Sequence, residues 1–200
     1  MAGASRGLGL EFARQLATAG HDVVATTRAD GYDVREEAPW AAIEGPVDGL
    51  IVNAGVQYRA ASLAELDLDR VADVFDVNVF GPLRVVRALR PALEQGTRRV
   101  IAILSSRMGS FGEYDSSSMY AYRASKAALN MFTRCVADEL APAGFTTVAL
   151  HPGWVRTDMG GPEASLGSEE SVRGMLALLD RLEPAQNGLF LDWQGETIEW

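Results

Sequence analysis

Basic charge is scarce in this sequence, and so are cysteine, lysine and histidine. Acidic residues outnumber basic ones by 27 to 18 over 200 residues, a formal net charge of -9. The basic residues stand singly or in pairs, so no patch exists to grip a phosphate backbone, and no nucleic-acid partner is expected. Cys135 is the only cysteine, so no disulfide can close within the chain. Its neighbours Met131, Phe132 and Val136 share its helical spacing, which predicts a buried core thiol. No stretch approaches the roughly 18 uninterrupted apolar residues that a membrane-spanning helix needs, and no membrane partner is expected. Met1 to Arg6 lacks the apolar block of a secretory signal, so a cytoplasmic location is expected. His21 and His151 show no metal-ligand spacing, and no metal is expected. Lys126 is the only lysine among the 18 basic residues; arginine fills every other basic position.

What the sequence does have is alternation of helical and strand patterns, and 48% hydrophobic residues to build one core. Leu8, Phe12, Leu16 and Ala19 follow helical spacing, with Gly20 as a stop. His21 to Thr27 reads as a strand, Asp33-Val34 as a stub of another, and Gly49 to Val52 as a short buried one. A long helical pattern runs from Asp69 to Gln95, interrupted by Gly81-Pro82. Arg99 to Leu104 and Thr146 to Leu150 are further apolar strands. Between them, Ser117 or Ser118 can cap a helix reaching about Ala141. Ser168 caps a last helix to about Leu182, and Gly188 to Asp192 reads as a last strand. The pattern predicts an α/β chain, a doubly wound parallel sheet with helices on both faces. Residues 1–200 read as a single domain. The segment Gly160 to Gly167 is the expected mobile substrate loop, just past a strand, where such sheets place ligands.

Chemistry enters with Gly3, Gly7 and Gly9, which form a G-x-x-x-G-x-G pattern opening a helix. Glycine lets backbone approach a pyrophosphate, and a helix N-terminus offers free N–H groups and partial positive charge. A glycine-rich turn without a ligand satisfies that pattern equally well. The next strand ends in Arg28, where dinucleotide folds use an acid for a ribose 2′-hydroxyl and arginine for a 2′-phosphate. Arg6 offers a second cation. NADP(H) is therefore favoured over NAD(H), although Asp30 lies close by.

Tyr122 and Lys126 carry the strongest signal. Residues four apart share a helix face, so phenol and ammonium can lie side by side. Carbonyl reduction needs a proton donor at oxygen, and a nearby ammonium is expected to lower the phenol's pKa from about 10. Ser105-Ser106 ends the preceding strand at the carboxyl edge of the sheet, where a hydroxyl can meet a substrate oxygen. Asn78 stands four residues before Pro82, which has no N–H to give its carbonyl, so that carbonyl is expected to be free to hold a water. Trp154, Met159, Met108 and Phe111 can line a cleft or simply pack.

Taken together these residues resemble the short-chain dehydrogenase/reductase family. The matching pieces are Gly3 to Gly9, Asp33-Val34, Asn53-Ala54-Gly55, Asn78, Ser105-Ser106, Tyr122 to Lys126, and His151-Pro152-Gly153 through Thr157. They occur in the family's order over nearly the whole chain, and the resemblance implies a single dinucleotide-binding domain of Rossmann type over residues 1–200. Ser105 to Ser110, Tyr120 to Tyr122 and Trp154 to Met159 are most similar to the C-factor/sniffer-type carbonyl reductases within it. The resemblance implies a catalytic set of Asn78, Ser106, Tyr122 and Lys126. Tyr122 would be the acid/base, Ser106 would orient the carbonyl, Lys126 would hold the nicotinamide ribose, and Asn78 would position a water. It implies cofactor contacts from Gly3, Ser5, Arg6, Gly7, Leu8, Gly9 and Arg28. Asp33 and Val34 would flank the adenine, and Asn53, Ala54 and Gly55 would form the floor. Pro152, Gly153, Val155 and Thr157 would meet the nicotinamide end. The activity implied is interconversion of a carbonyl and an alcohol on a small, partly apolar substrate. The helices containing Asn78 and Tyr122 would be the surface of a homo-oligomer.

Three departures stand out. The family's apolar strand before the glycine loop is missing or truncated, the helix between Thr27 and Asp33 is missing, and Val52 replaces the first Asn of an Asn-Asn-Ala-Gly motif. Either the true start lies upstream or cofactor binding is weakened. These departures favour a second reading, a dinucleotide-binding signalling or sensor protein with little turnover. A sugar-nucleotide epimerase is disfavoured, since no large substrate domain is present.

Overall fold

The computed structural model describes residues 1–200. Its centre is a four-stranded parallel sheet of β1 (Gly49–Val52), β2 (Val100–Leu104), β3 (Thr146–His151) and β4 (Phe190–Asp192), paired in that order. Leu50 lies beside Ile101, Ala102 beside Val148, and Leu150 beside Leu191. Six α-helices surround the sheet: α1 (Gly7–Thr18), α2 (Ala38–Ala41), α3 (Leu68–Phe75), α4 (Gly81–Gln95), α5 (Tyr120–Leu140) and α6 (Ser168–Asp180).

Strand alternation explains the two layers. Leu50, Val52, Ile101 and Ile103 point one way and pack with Val85, Leu89 and Leu93 of α4 and Leu129 and Leu140 of α5. Ile51, Val100, Ala102, Leu104, Val148 and Leu150 point the other way, onto Phe12 of α1 and Val172, Met175 and Leu178 of α6. A strand buried on both faces must be apolar throughout, which is the expected Rossmann-type parallel architecture.

Several elements differ from the sequence pattern. His21 to Thr27 forms no strand; Thr26 makes one isolated bridge to Ala2, and Ala2 makes another to Val52. The Thr26 amide donates to the Met1 carbonyl at 3.0 Å, and the Gly3 and Ala4 amides donate to the Thr26 carbonyl at 3.2 and 3.0 Å, bonds that meet the segment at one end only. Val24 is half exposed. Asp33-Val34 forms no strand stub; Val34 and Arg35 make a turn. A single 3₁₀ turn, Arg28–Asp30, occupies the region between Thr27 and Asp33. Neither Ser117 nor Ser118 caps α5; its N-cap is Met119 at φ 62°, in the left-handed region that non-glycine residues seldom occupy. Gly167 precedes α6, and Ser168 is its first residue. Cys135 is exposed, because the buried face of α5 runs through Ser125, Lys126, Leu129, Asn130, Thr133 and Ala137. No helix is long and apolar enough to cross a membrane.

Candidate active site

The carboxyl ends of the strands gather the site. β1 runs into Asn53, β2 into Ser105 and β3 into Pro152. The glycine loop stands beside the first of these. Gly3 is at φ 86°, and a Cβ there would lie 2.8 Å from the Ala54 nitrogen; a Cβ on Gly9 would lie 1.9 Å from the Gly3 carbonyl. Only glycine permits this approach. Asn53 ties the two loops together by donating from Nδ2 to the Gly3 carbonyl at 2.9 Å. α1 starts at Gly7 with Arg6 as its N-cap and no side-chain cap, leaving its first amides for an anion.

Asn78 sits in a π-helical turn, Asp76–Phe80, between α3 and α4. Pro82 follows, and such insertions in a long helix recur at functional positions. Asn78 is fully buried. Its Oδ1 accepts from the Val56 amide at 2.8 Å, and its Nδ2 donates to the Val56 carbonyl at 2.8 Å and the Ser125 hydroxyl at 3.0 Å. Ser125 in turn donates to the Tyr122 carbonyl at 2.8 Å. Gly55 faces this point: a Cβ on it would be 3.6 Å from Asn78 Oδ1 and 3.9 Å from Lys126 Nζ.

Lys126 is 4% exposed. Its ammonium donates to the Leu104 carbonyl at 2.8 Å and lies 5.8 Å from the centre of the Tyr122 ring. Burial lowers its pKa from 10.5 to about 8, so it stays charged at neutral pH. Burial also raises the Tyr122 pKa above 10, opposed by the hydrogen bond with the Ser106 side chain. The expected acidification of the phenol by Lys126 is not found. Burial is the largest influence on the phenol, and the ammonium, 5.8 Å from the ring centre, spends a donor on the Leu104 carbonyl. A neutral phenol is nonetheless the form that can donate a proton.

Ser106 leads a 3₁₀ turn, Arg107–Gly109, and its hydroxyl accepts from the Met108 amide at 3.2 Å. Gly109 allows that turn to lie flat on α5; a Cβ there would be 2.6 Å from the Lys126 carbonyl carbon. Across the site, Thr157 packs near Gly7, and the exposed Arg6 and Asp158 pair at 2.7 Å. Val155 is buried and bridges Leu166, closing the loop expected to be mobile back on itself. Pro152 accepts from the Ser171 hydroxyl at 2.6 Å, and Gly153 lies against Trp193. Gln57 reaches the Met159 carbonyl at 3.2 Å.

Asn78, Ser106, Tyr122 and Lys126 are thus brought to one place, beside Asn53–Gly55 and the glycine loop. Arg28 is exposed and makes no ion pair, while Arg6 turns to Asp158 rather than toward Arg28. Ser5 is exposed and Leu8 packs under the sheet. Val34 is buried against Gly81, and the Asp33 carbonyl accepts from the Trp40 indole at 3.1 Å. No group of three or more acidic, cysteine or histidine side chains could hold a metal. Met108 lines a groove between the 107–118 segment and α5, with Phe111 largely exposed at its mouth, whereas the Trp154 indole donates to the Gly160 carbonyl at 2.9 Å. Sequence reasoning gave no role of their own to Ser125, Gly109 and Asp158, although they stand in the matching motifs, and passed over Asn130. Asn130 was open to discovery, since it continues the four-residue spacing of Tyr122 and Lys126.

Residues 33–165 match the family model for short chain dehydrogenases. The chain belongs to the short-chain dehydrogenase family. It is 51% identical over 156 residues to the C-signal protein of Myxococcus xanthus, covering 78% of this chain and 94% of that one. Its fold superposes on the carbonyl reductase Sniffer of D. melanogaster with a TM-score of 0.90 at 26% identity, covering 100% of this chain and 97% of that one. It also superposes on an NADPH-bound carbonyl reductase from chicken fatty liver, with a TM-score of 0.86 at 30% identity and the same coverage.

Proposed function

We propose that the protein is an NADP(H)-dependent oxidoreductase interconverting a carbonyl and an alcohol on a small, partly apolar substrate. The observation that carries this reading is the convergence of Ser106, Tyr122 and Lys126 beside a glycine loop that any side chain would fill. A dinucleotide fits the residues present. Gly3, Ser5, Gly7, Leu8 and Gly9 with the α1 amides would take the pyrophosphate, and the unpaired Arg28 a 2′-phosphate. Asp33 and Val34 would meet the adenine, Asn53, Ala54 and Gly55 the ribose side, and Pro152, Gly153, Val155 and Thr157 the nicotinamide end. When bound, the cofactor would supply hydride to the carbonyl carbon. Ser106 orients the carbonyl oxygen beforehand, and Tyr122 gives that oxygen a proton. Lys126, charged at neutral pH, would hold the ribose. Asn78 braces the region through Val56 and Ser125 and offers its carbonyl to a water.

Titrating the protein with NADPH and NADH, followed by turnover with aldehydes, ketones and quinones, tests the reading. Tighter NADPH binding with oxidation that depends on Tyr122 supports it. The likeness to a protein named C-signal favours a second reading: a dinucleotide-binding signalling protein. NADPH binding without oxidation of any substrate selects that one. In either case a second copy is proposed to pack on the outer face of α4 and α5. A groove of about 480 Å³ there is lined by Phe80, Leu83, Val86 and Val136 among Arg84, Arg87, Arg90 and Glu139.

A further inference from the structure

We infer that Asn130 is a positioning residue that holds Ser106 in register with Tyr122 by gripping both ends of the segment that carries the serine. The inference rests on the oxidoreductase reading and extends it to a residue outside the expected catalytic set.

Ser106 and Tyr122 lie on different elements, one past the end of β2 and the other in the first turn of α5. A hydroxyl useful to the substrate oxygen must keep its place relative to the phenol, and small displacements at such sites are costly. Backbone pairing of β2 stops short of this need. The Ser105 amide donates to the Leu150 carbonyl at 2.7 Å, and beyond it the chain leaves the sheet. From there, contacts with α5 must set the segment.

Asn130 provides them. Tyr122, Lys126 and Asn130 are spaced by four, so all three lie along one face of α5. Ser105 continues the row of Ile101 and Ile103 that faces this helix. Its hydroxyl donates to Asn130 Oδ1 at 2.5 Å, and Asn130 Nδ2 reaches the Gly109 carbonyl at 3.5 Å. The amide thus holds residue 105 with its oxygen and residue 109 with its nitrogen. Ser106 lies between them, in a turn closed by the Gly109 amide donating to the Ser106 carbonyl at 2.8 Å. Asn130 and Ser105 are each 3% exposed. A buried amide is expensive unless both of its ends are used, so its presence one turn beyond Lys126 asks for a reason beyond packing. Leucine or alanine would fill the space without fixing a direction.

The test is a double-mutant cycle between Asn130→Ala and Ser106→Ala, read in kcat, in the NADPH dissociation constant and in the melting temperature. Asn130→Ala is expected to lower kcat on the order of 10- to 100-fold while leaving NADPH affinity within about twofold. In the Ser106→Ala background the same change is expected to cost less than about twofold, because the group it positions is gone. The alkaline limb of the rate profile should move upward in Asn130→Ala, the same shift expected in Ser106→Ala. A purely structural role would lower the melting temperature and leave that limb in place. Losses that multiply in the double variant, or a kcat within twofold of the parent, overturn the inference. Should Asn130→Ala fail to fold, Ser105→Ala, a small change, is judged by the same cycle. Should the parent turn over no carbonyl, the oxidoreductase reading fails instead. Amide exchange then decides on the grip alone: faster exchange across residues 105–109 in Asn130→Ala, with α5 unchanged, keeps it, and unchanged exchange removes it.

Discussion

Lys126 gives a hydrogen bond to the Leu104 carbonyl at 2.8 Å while its ammonium lies 5.8 Å from the centre of the Tyr122 ring. The lysine is therefore anchored to the end of β2, the strand that leads to Ser106, and not to the phenol. Sheet, serine and helix are joined through one buried cation. Arginine would not serve in that slot. Its planar fork needs more room than a compact ammonium, and Gly55 and Leu104 lie close to the Nζ position.

Tyr122→Phe is expected to remove turnover by roughly 10²- to 10⁴-fold, the usual worth of a general acid. The aromatic ring is kept, so NADPH affinity should change by less than about twofold. Steady-state rates beside a fluorescence titration check both. A rate that survives the substitution would show that another group delivers the proton.

Much of this site was legible in the sequence because its logic is local. The glycine spacing, the four-residue step from Tyr122 to Lys126 and the Ser105-Ser106 strand end are each read over a few residues. What escaped depends on distant partners. His21 to Thr27 has a strand pattern, yet a strand exists only with a paired neighbour, and Ala2 supplies one bridge. Cys135 has apolar neighbours at helical spacing, yet periodicity does not tell which side of α5 meets the sheet. The balance of burial against the Lys126 charge at Tyr122 also depends on how deeply the folded chain encloses both groups.

Gly9→Ala is expected to abolish dinucleotide binding while leaving most of the fold intact. The new Cβ would be placed 1.9 Å from the Gly3 carbonyl and 2.8 Å from Asn53 Nδ2. Relief requires the loop to part from Asn53, which breaks the 2.9 Å bond that closes it. Loss of NADPH binding by titration, with near-native circular dichroism, is the expected result. Unchanged affinity would mean that the cofactor lies elsewhere.

Asp158→Asn is expected to strengthen NADPH binding. Arg6 at the head of α1 is paired with Asp158, and both are largely exposed. A carboxylate there competes with an incoming phosphate for the same guanidinium. The gain should be modest, on the order of two- to five-fold, because exposed pairs are weak. It should shrink at 1 M salt, where the screening length is about 3 Å. It should also vanish in an Arg6→Ala background. A gain that persists without Arg6 would assign the effect to some other contact.

His151→Gln is expected to flatten the acid side of the stability profile. His151 ends β3, its Nδ1 is buried without a hydrogen-bond partner in the protein, and burial together with Arg107 lowers its pKa from 6.5 to about 4, against the pull of Asp192. Below pH 6.5 the unfolded chain takes up a proton that the folded chain refuses. Stability from this group is therefore complete above pH 6.5 and is lost as pH falls toward 4. A shift of that size corresponds to about 3 kcal/mol as an upper figure. Urea midpoints at pH 7, 5.5 and 4.5 should diverge between parent and variant, with the parent losing more. Parallel curves would mean that the imidazole is as free to take a proton in the folded chain as in the unfolded one.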